Sequence, residues 1–78
     1  MINNAPKLAI NNRTALINST LCGCFHCAEI YNPSEITEWT DNNQTAICPK
    51  CKVDAVIAQS ESADLSKDLL EKLQQYWF

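Results

Sequence analysis

At 78 residues the chain can form one small domain, whose apolar core by itself would stabilise a fold only marginally. An apolar fraction of 46% and only one glycine argue against disorder, while a formal net charge of −3 with dispersed basic residues argues against a phosphate-rich partner. We therefore expect a globular chain that needs an additional staple, such as a metal ion, a disulfide or a partner.

The cysteine content favours a metal as that staple. The first residues show no basic leader ahead of an apolar run, and no apolar stretch is long enough to span a membrane, so we expect a cytoplasmic protein. In a reducing compartment clustered cysteines are typically metal ligands, and an odd number, five, fits a disulfide framework poorly.

Residues 1–20 have no clear hydrophobic period, and their asparagines mark turns or helix caps. We expect a poorly defined N-terminal extension there, with a short strand or helical turn packed on the rest and a mobile end. Residues 21–60 are predicted to form the metal-binding core, and residues 61–78 a C-terminal helix packed on it.

Between the two cysteine-rich turns, residues 32–40 predict a short helix. Asn32 can cap it, Pro33 suits its first position, and Glu35 lies where a capping box needs it. Ile36 and Trp39 are three residues apart and would share its buried face. The polar stretch TDNNQ that follows predicts a turn without glycine, because Asn tolerates left-handed backbone angles.

The stretch TAICPKCKVDAVIAQ predicts a hairpin, with one strand before the second metal turn and a returning strand after it. An alternative is a treble clef, in which the second cysteine pair opens a helix. Val53, Val56 and Ile57 favour the strand.

The C-terminal helix is predicted over residues 67–77. Ser66 is its expected cap, Leu65 and Leu70 form a hydrophobic staple, and Asp68 can pair with Lys72 one turn later. One apolar stripe is expected along the helix, made by Leu69, Leu73, Tyr76 and Trp77.

Two cysteine pairs carry the chemical signal. Cys24 and Cys27 are separated by two residues, Cys48 and Cys51 likewise, and twenty residues lie between the pairs. A turn of this length directs both sulfurs at one point, so two turns brought together by the fold can surround one ion as four thiolates. Because such a closed site leaves no open coordination position, we expect one structural Zn2+ and no catalysis.

Two more residues of CGCFHC have alternative interpretations. Cys22 lies outside the paired spacing and is expected to be a small apolar residue against the site, rather than an exchangeable ligand or redox-sensitive thiol. His26 is expected to be a surface imidazole on the first metal turn, rather than a ligand or a general base. Gly23 is expected to give the backbone freedom to enter that turn.

The motifs CGCFHC, EITEW, CPKC, DAVI and YWF together resemble a family of small, uncharacterised bacterial cytoplasmic proteins with a CxxC…CPxC zinc-ribbon core. The resemblance covers about residues 21–78 and implies a fold of the small α+β class, a zinc ribbon with two metal turns on a short antiparallel sheet and a C-terminal helix. It implies no activity. The resemblance implies that the zinc ligands are Cys24, Cys27, Cys48 and Cys51. Further features shared with the family are Cys22, Trp39, Asp54 and residues 76–78.

A weaker resemblance is to rubredoxin, in which two similar turns hold iron for electron transfer. Rubredoxin turns are followed by glycine, whereas Ala28 and Lys52 stand at those positions here. This departure disfavours an iron electron carrier, although four thiolates alone do not select between zinc and iron.

Three functions follow from these features. The leading hypothesis is an adaptor or regulator that binds another protein through an aromatic surface, with Trp39, Tyr76, Trp77 and Phe78 as candidate contacts, unless the C-terminal aromatics pack back on the core. The second is a nucleic-acid-binding ribbon using Lys50 and Lys52 with Phe25 or Trp39, although the two lysines more simply offset thiolate charge. The third is the iron carrier.

Overall fold

In the computed structural model, which describes residues 5–59 and 65–78, two short antiparallel sheets and three helices surround a common core. The N-terminal segment forms α1 (Ala5–Leu8) and α2 (Arg13–Ile17), both of which pack on β5 (Val56–Ala58). The sequence predicts either a short strand or a helical turn for this segment, and the segment forms helices. The predicted mobile end falls on residues 1–4, outside the described part of the chain.

One buried asparagine ties this N-terminal segment to both sheets. The Asn12 side chain donates hydrogen bonds to the carbonyl oxygens of Val56, at 2.7 Å, and Leu8, at 3.3 Å. Its Oδ1 accepts from the backbone N–H of Ala46 at 3.2 Å. Buried amide groups need such partners, so all the polar atoms of this side chain are used in holding the fold together.

The first sheet has the order β2-β1-β5, with the cysteine-rich strand β1 (Cys22–Cys24) at its centre. Strand β2 (Glu29–Tyr31) and β5 both pair with β1 in antiparallel register. The second sheet consists of β3 (Glu38–Thr40) and β4 (Thr45–Ile47), joined by a turn. Asp41, Asn42 and Asn43 in that turn all have left-handed backbone angles, which confirms the predicted glycine-free turn.

The helix predicted over residues 32–40 is wrong beyond its first turn. Asn32 does cap a 3-10 turn, Pro33–Glu35, by accepting a hydrogen bond from the N–H of Ser34. The chain then becomes extended and enters β3, because pairing with β4 supplies backbone hydrogen bonds that a short isolated helix could not match. Ile36 is buried and Trp39 partly buried, but not on one helical face.

The hairpin predicted around the second cysteine pair is also wrong. Strand β4 pairs with β3, whereas β5 pairs with β1 in the other sheet. The metal turns therefore lie on two sheets rather than on one. The chain after Cys51 leads to β5 and not to a helix, as the choice against a treble clef predicted.

Helix α3 (Lys67–Trp77) has the predicted bounds, the Ser66 cap, which accepts from the N–H of Leu69, and the Asp68–Lys72 ion pair at 3.7 Å. Its buried face differs from the predicted stripe: Leu70 and Leu73 are fully buried, whereas Tyr76 and Trp77 are exposed.

Gly23 leaves room for a side chain of helix α3. A Cβ atom at this position would come within 2.8 Å of Leu70 Cδ1 and 3.3 Å of the Glu29 carbonyl oxygen, so the Leu70 side chain packs directly on the strand at this glycine. The expected role in backbone freedom is wrong, since Gly23 lies in β1 and does not have a positive φ angle.

Candidate metal centre

The fold brings the two cysteine pairs together. Cys24 and Cys27 lie on the turn from β1 to β2, residues 24–28, here called the first knuckle. Cys48 and Cys51 lie on the turn that follows β4, residues 48–52, the second knuckle. The four sulfur atoms lie within 4.8 Å of one another, so residues from two sheets meet at one point.

The distances between the sulfurs fit one tetrahedral ion. The Sγ atoms of Cys24 and Cys51 are 3.5 Å apart, and those of Cys27 and Cys48 are 3.7 Å apart. Metal–sulfur bonds of about 2.3 Å in a tetrahedron place neighbouring sulfurs about 3.8 Å apart. The four thiols can therefore hold a metal ion with little rearrangement.

The two knuckles have matching backbones. The N–H groups of His26 and Lys50 point at the sulfurs of Cys24 and Cys48, each at 3.4 Å. Ala28 and Lys52 close the turns with φ angles of 61° and 66°. These residues stand where rubredoxin has glycine, and they adopt the left-handed conformation that glycine favours. Both turns therefore reach left-handed backbone angles at these positions without glycine.

Burial keeps two of the thiols protonated in the absence of metal. Desolvation raises the pKa of Cys24 well above its ordinary value and that of Cys27 to about 11. A metal ion must displace these protons, because the thiolate is the ligand. Metal affinity at this site is therefore expected to fall as the pH falls.

Cys48 behaves differently from these two thiols. Its burial raises the pKa, but the Tyr31 hydroxyl and the backbone amides of Cys51 and Lys50 outweigh this and lower the pKa to about 7. Tyr31 is 5% exposed, and its hydroxyl has no hydrogen-bond partner within bonding distance in the described part of the chain. Sequence reasoning missed this tyrosine, since the end of a short strand carries no signal that its hydroxyl would be buried.

Cys22 lies apart from the four-sulfur cluster. It is fully buried, and its Sγ donates a hydrogen bond to the carbonyl oxygen of Tyr31 at 3.4 Å. Desolvation, followed by the nearby Cys48, raises its pKa to about 12. These surroundings favour the interpretation of Cys22 as a small packed side chain.

His26 also lies outside the cluster, on the outer side of the first knuckle. Its ring meets the Phe78 ring edge-on with centroids 4.7 Å apart, and its carbonyl oxygen accepts a hydrogen bond from Gln74 Nε2 at 2.6 Å. Within residues 5–59 and 65–78 its buried Nδ1 has no hydrogen-bond partner. The imidazole thus connects the knuckle to the end of α3.

The lysines that flank the second cysteine pair contact carboxylates. Lys52 Nζ lies 2.6 Å from Glu38 Oε1, and Lys50 Nζ lies 3.8 Å from Glu35 Oε1. Phe25, the aromatic residue considered for stacking on a base, is only 4% exposed. None of these observations favours a nucleic-acid interface.

The candidate partner-binding aromatics lie in two places. Trp39 lines a groove with Leu16, Ile17 and Pro33, and the Arg13 guanidinium lies 4.7 Å from the centre of its ring. Trp77 and Phe78 line a different groove, of about 290 Å3, together with Ile10, Phe25 and Asp54. Phe78 is 63% exposed even though it contacts His26, so the C-terminal aromatics pack back on the core only in part.

Compared with protein-family models, with curated proteins and with solved structures, the chain has no match. Within the described ranges, no helix has the length and apolar character that crossing a membrane requires.

Proposed function

We propose that the chain is a zinc-binding module without catalytic activity, in which Cys24, Cys27, Cys48 and Cys51 hold one structural Zn2+. The observation that carries this proposal is the convergence of four sulfurs, from knuckles on two different sheets, to the spacing of a tetrahedron. We also propose a cytoplasmic location, which a reduced four-thiolate site suits. On the motifs named above, we propose that the chain belongs to the bacterial zinc-ribbon family that they resemble.

A metal at this position would connect the two sheets of a chain that has a small core. The sheets have two and three strands, each three residues long, and such elements are marginal on their own. A structural zinc site contributes its binding free energy directly to folding. Removal of the metal should therefore unfold the chain or loosen the contact between the sheets.

The same donor set argues against catalysis. Four thiolates complete a tetrahedral shell, so no position remains for a water molecule or a substrate. His26, the only histidine, lies outside the ligand set and packs against Phe78. Its Nδ1 has no hydrogen-bond partner among the described residues, so this nitrogen does not activate a thiol as a general base would.

The metal proposal is tested by elemental analysis combined with native mass spectrometry. Protein purified without added metal should be colourless and carry one zinc per chain. Iron with visible absorbance would instead support the rubredoxin-like alternative. Absence of any metal, with a folded chain after exhaustive chelation, would contradict the proposal.

We further propose that the module is an adaptor or regulator that binds another protein at the groove between α1 and the end of α3. Its walls include exposed apolar residues: Ile10 at 49%, Trp77 at 39% and Phe78 at 63% exposed. Aromatic side chains of this kind are common anchors of protein interfaces.

The charge of the groove indicates the chemistry of the partner. Asp54 lines the groove, is exposed, and makes no ion pair within the part of the chain that the structure describes. The whole chain has a formal charge of −3. The partner segment that fits combines an apolar side chain, which enters between Trp77 and Ile10, with a basic side chain that meets Asp54.

A capture experiment from host lysate, followed by titration of the purified partner, tests this surface. The variant Ile10→Ser with Asp54→Asn should lose a partner that the wild-type chain retains. The matched variant Ile17→Ser with Asp41→Asn changes an exposed apolar residue of the Trp39 groove and an exposed acidic residue, and it should retain the partner. If both variants retain the partner, the interface lies on another surface. No specific partner for the wild-type chain would contradict the adaptor role.

A further inference from the structure

We propose that a peroxide converts the four-sulfur site into two disulfides that join the knuckles, Cys24–Cys51 and Cys27–Cys48, so that the chain releases its metal and stays folded. The inference rests on the proposed metal function and adds a regulation of the same site. It makes the four cysteines a site of reversible oxidation as well as a set of ligands.

The contacts between the sulfurs indicate which cysteines pair. Cys24 Sγ lies 3.5 Å from Cys51 Sγ, and Cys27 Sγ lies 3.7 Å from Cys48 Sγ. A disulfide bond is about 2.05 Å long, so the sulfurs of each pair have to approach by less than about 2 Å. Both contacts join the first knuckle to the second, and together they use all four sulfurs.

Each pair combines a partly exposed cysteine with a buried one. Cys27 and Cys51 are partly exposed, whereas Cys24 and Cys48 are fully buried. A peroxide can therefore reach one cysteine of each pair from solvent, and the buried cysteine in contact with it can complete the disulfide. Cys22 lies outside the four-sulfur cluster and is fully buried, so it should stay a thiol.

The oxidation balances with one molecule of hydrogen peroxide for each disulfide. The Cys27 thiolate attacks a peroxide oxygen: the S–O bond forms, the O–O bond breaks, and the departing hydroxide takes up a proton to give water and a sulfenic acid. The Cys48 thiolate then attacks the sulfenic sulfur: the S–S bond forms, the S–O bond breaks, and a second water molecule leaves after protonation. The two sulfurs have lost two electrons, which the peroxide has gained. Cys51 and Cys24 react in the same way.

The new bonds replace the metal as the connection between the knuckles. A sulfur in a disulfide is no longer a thiolate, so the chain loses all four ligands of the ion. The two disulfides link positions 27 and 21 residues apart and restrict the unfolded chain accordingly. Disulfides within the knuckles would also use four sulfurs, but they would leave the knuckles unconnected. The oxidised chain should therefore stay folded without metal, unlike the reduced chain.

The test adds stoichiometric hydrogen peroxide to the zinc-loaded protein and follows zinc release with a chromogenic chelator. We expect all the zinc to be released after about two molecules of peroxide per chain, because each disulfide requires one. The metal-free product should keep one free thiol of the five and a cooperative melting transition. A dithiol reductant added together with zinc should restore the starting protein.

The pairing is read by mass spectrometry of peptides from the oxidised protein. Chymotrypsin cleaves after Phe25, between the two cysteines of the first knuckle, and trypsin cleaves after Lys50, between those of the second. The four peptides should be linked in the two pairs proposed above. Cys22→Ser is the matched control, because Cys22 lies on the same peptide as Cys24. This variant should release zinc as the wild type does, form the same two links and leave no free thiol.

The outcomes separate this inference from the proposed function. If the protein holds zinc but peroxide does not release it, links cysteines within a knuckle, or gives an unfolded product, the inference is overturned and the metal function stands. If the wild-type chain binds no metal, the proposed metal function fails and the inference fails with it.

Discussion

The first knuckle (residues 24–28) and the second knuckle (residues 48–52) have nearly the same backbone, yet different forces hold them. The first lies under helix α3: Gln74 donates to the His26 carbonyl, Lys67 Nζ donates to the Ala28 carbonyl at 3.4 Å, and Phe78 packs on His26. The second faces solvent and is flanked by the Lys50–Glu35 and Lys52–Glu38 ion pairs.

This difference shows that a metal turn is specified locally while its support is not. The spacing of the cysteines and the left-handed residue after each pair produce the same turn in both places. Packing against a helix supports one turn, and exposed charge pairs support the other. Contacts of the first kind are insensitive to salt, whereas exposed ion pairs contribute little and are screened.

The largest effect is expected from removing one of the thiolate ligands, which both knuckles contribute. Cys48→Ser takes away one of the four thiolates, and a structural zinc site contributes about 10 kcal/mol or more to folding, comparable to the whole stability of a small domain. We expect loss of bound metal and of the cooperative melting transition, measured by elemental analysis and circular dichroism. Retention of one zinc with wild-type melting would contradict the assignment.

The matched control for this variant is Cys22→Ser. The serine hydroxyl can donate to the Tyr31 carbonyl as the thiol does, so the variant should keep its metal. Its stability should fall by only about 1 kcal/mol, because a more polar group is buried.

The next effect concerns the link between the two halves of the fold. Asn12→Asp is nearly isosteric, but it removes the donors to Leu8 and Val56 and sets a carboxylate against their carbonyl oxygens. We expect a loss of about 3 kcal/mol in the free energy of unfolding, measured by denaturant titration of the zinc-saturated protein. Asn42→Asp, in the exposed turn, should change it by less than about 0.5 kcal/mol. Equal effects would mean that Asn12 does not join the two sheets.

A smaller effect isolates the support of the first knuckle. Gln74→Ala leaves the His26 carbonyl without its donor and should cost about 1 kcal/mol at low and high salt alike. Gln75→Ala changes the same residue type one position further along α3, where the side chain is exposed, and should be almost neutral. Amide hydrogen exchange at the end of α3 should rise in the first variant only.

The smallest effect isolates the support of the second knuckle. Glu38→Gln breaks the ion pair with Lys52, whose two side chains are 57% and 61% exposed, so the expected cost is about 0.5 kcal/mol at low salt. This cost should vanish at about 1 M salt, where the screening length is about 3 Å. Glu71→Gln, which removes an exposed carboxylate without a described ion pair, is the control. A cost that persists in high salt would show that the second knuckle is supported in the same way as the first.

The sequence was sufficient wherever the signal is local. The paired cysteines predicted the cluster that forms, Ser66 and Asp68 predicted the start of α3, and TDNNQ predicted the turn between β3 and β4. In each case the residues that determine the structure lie within a few positions of one another, and short-range spacing then suffices.

The features that the sequence did not predict depend on contacts between distant parts of the chain. The capping signals at Asn32 start only one turn, because β3 gains more from pairing with β4 than from continuing a helix. On the buried face of α3, Leu70 packs against Gly23, which lies 47 positions earlier, and no helical periodicity contains that information. Asn12 and Tyr31 are recognised only when the groups that surround them are known.

The left-handed residues of the chain have a consequence for its denatured state. Six described residues adopt positive φ without being glycine, and the whole chain contains a single glycine. Each such position is strained when folded, but a non-glycine residue has fewer backbone conformations to give up than glycine would. The denatured chain therefore has fewer backbone conformations than it would with glycine at these positions, and it loses less conformational entropy on folding. This matters because the chain has little apolar area to offset that loss.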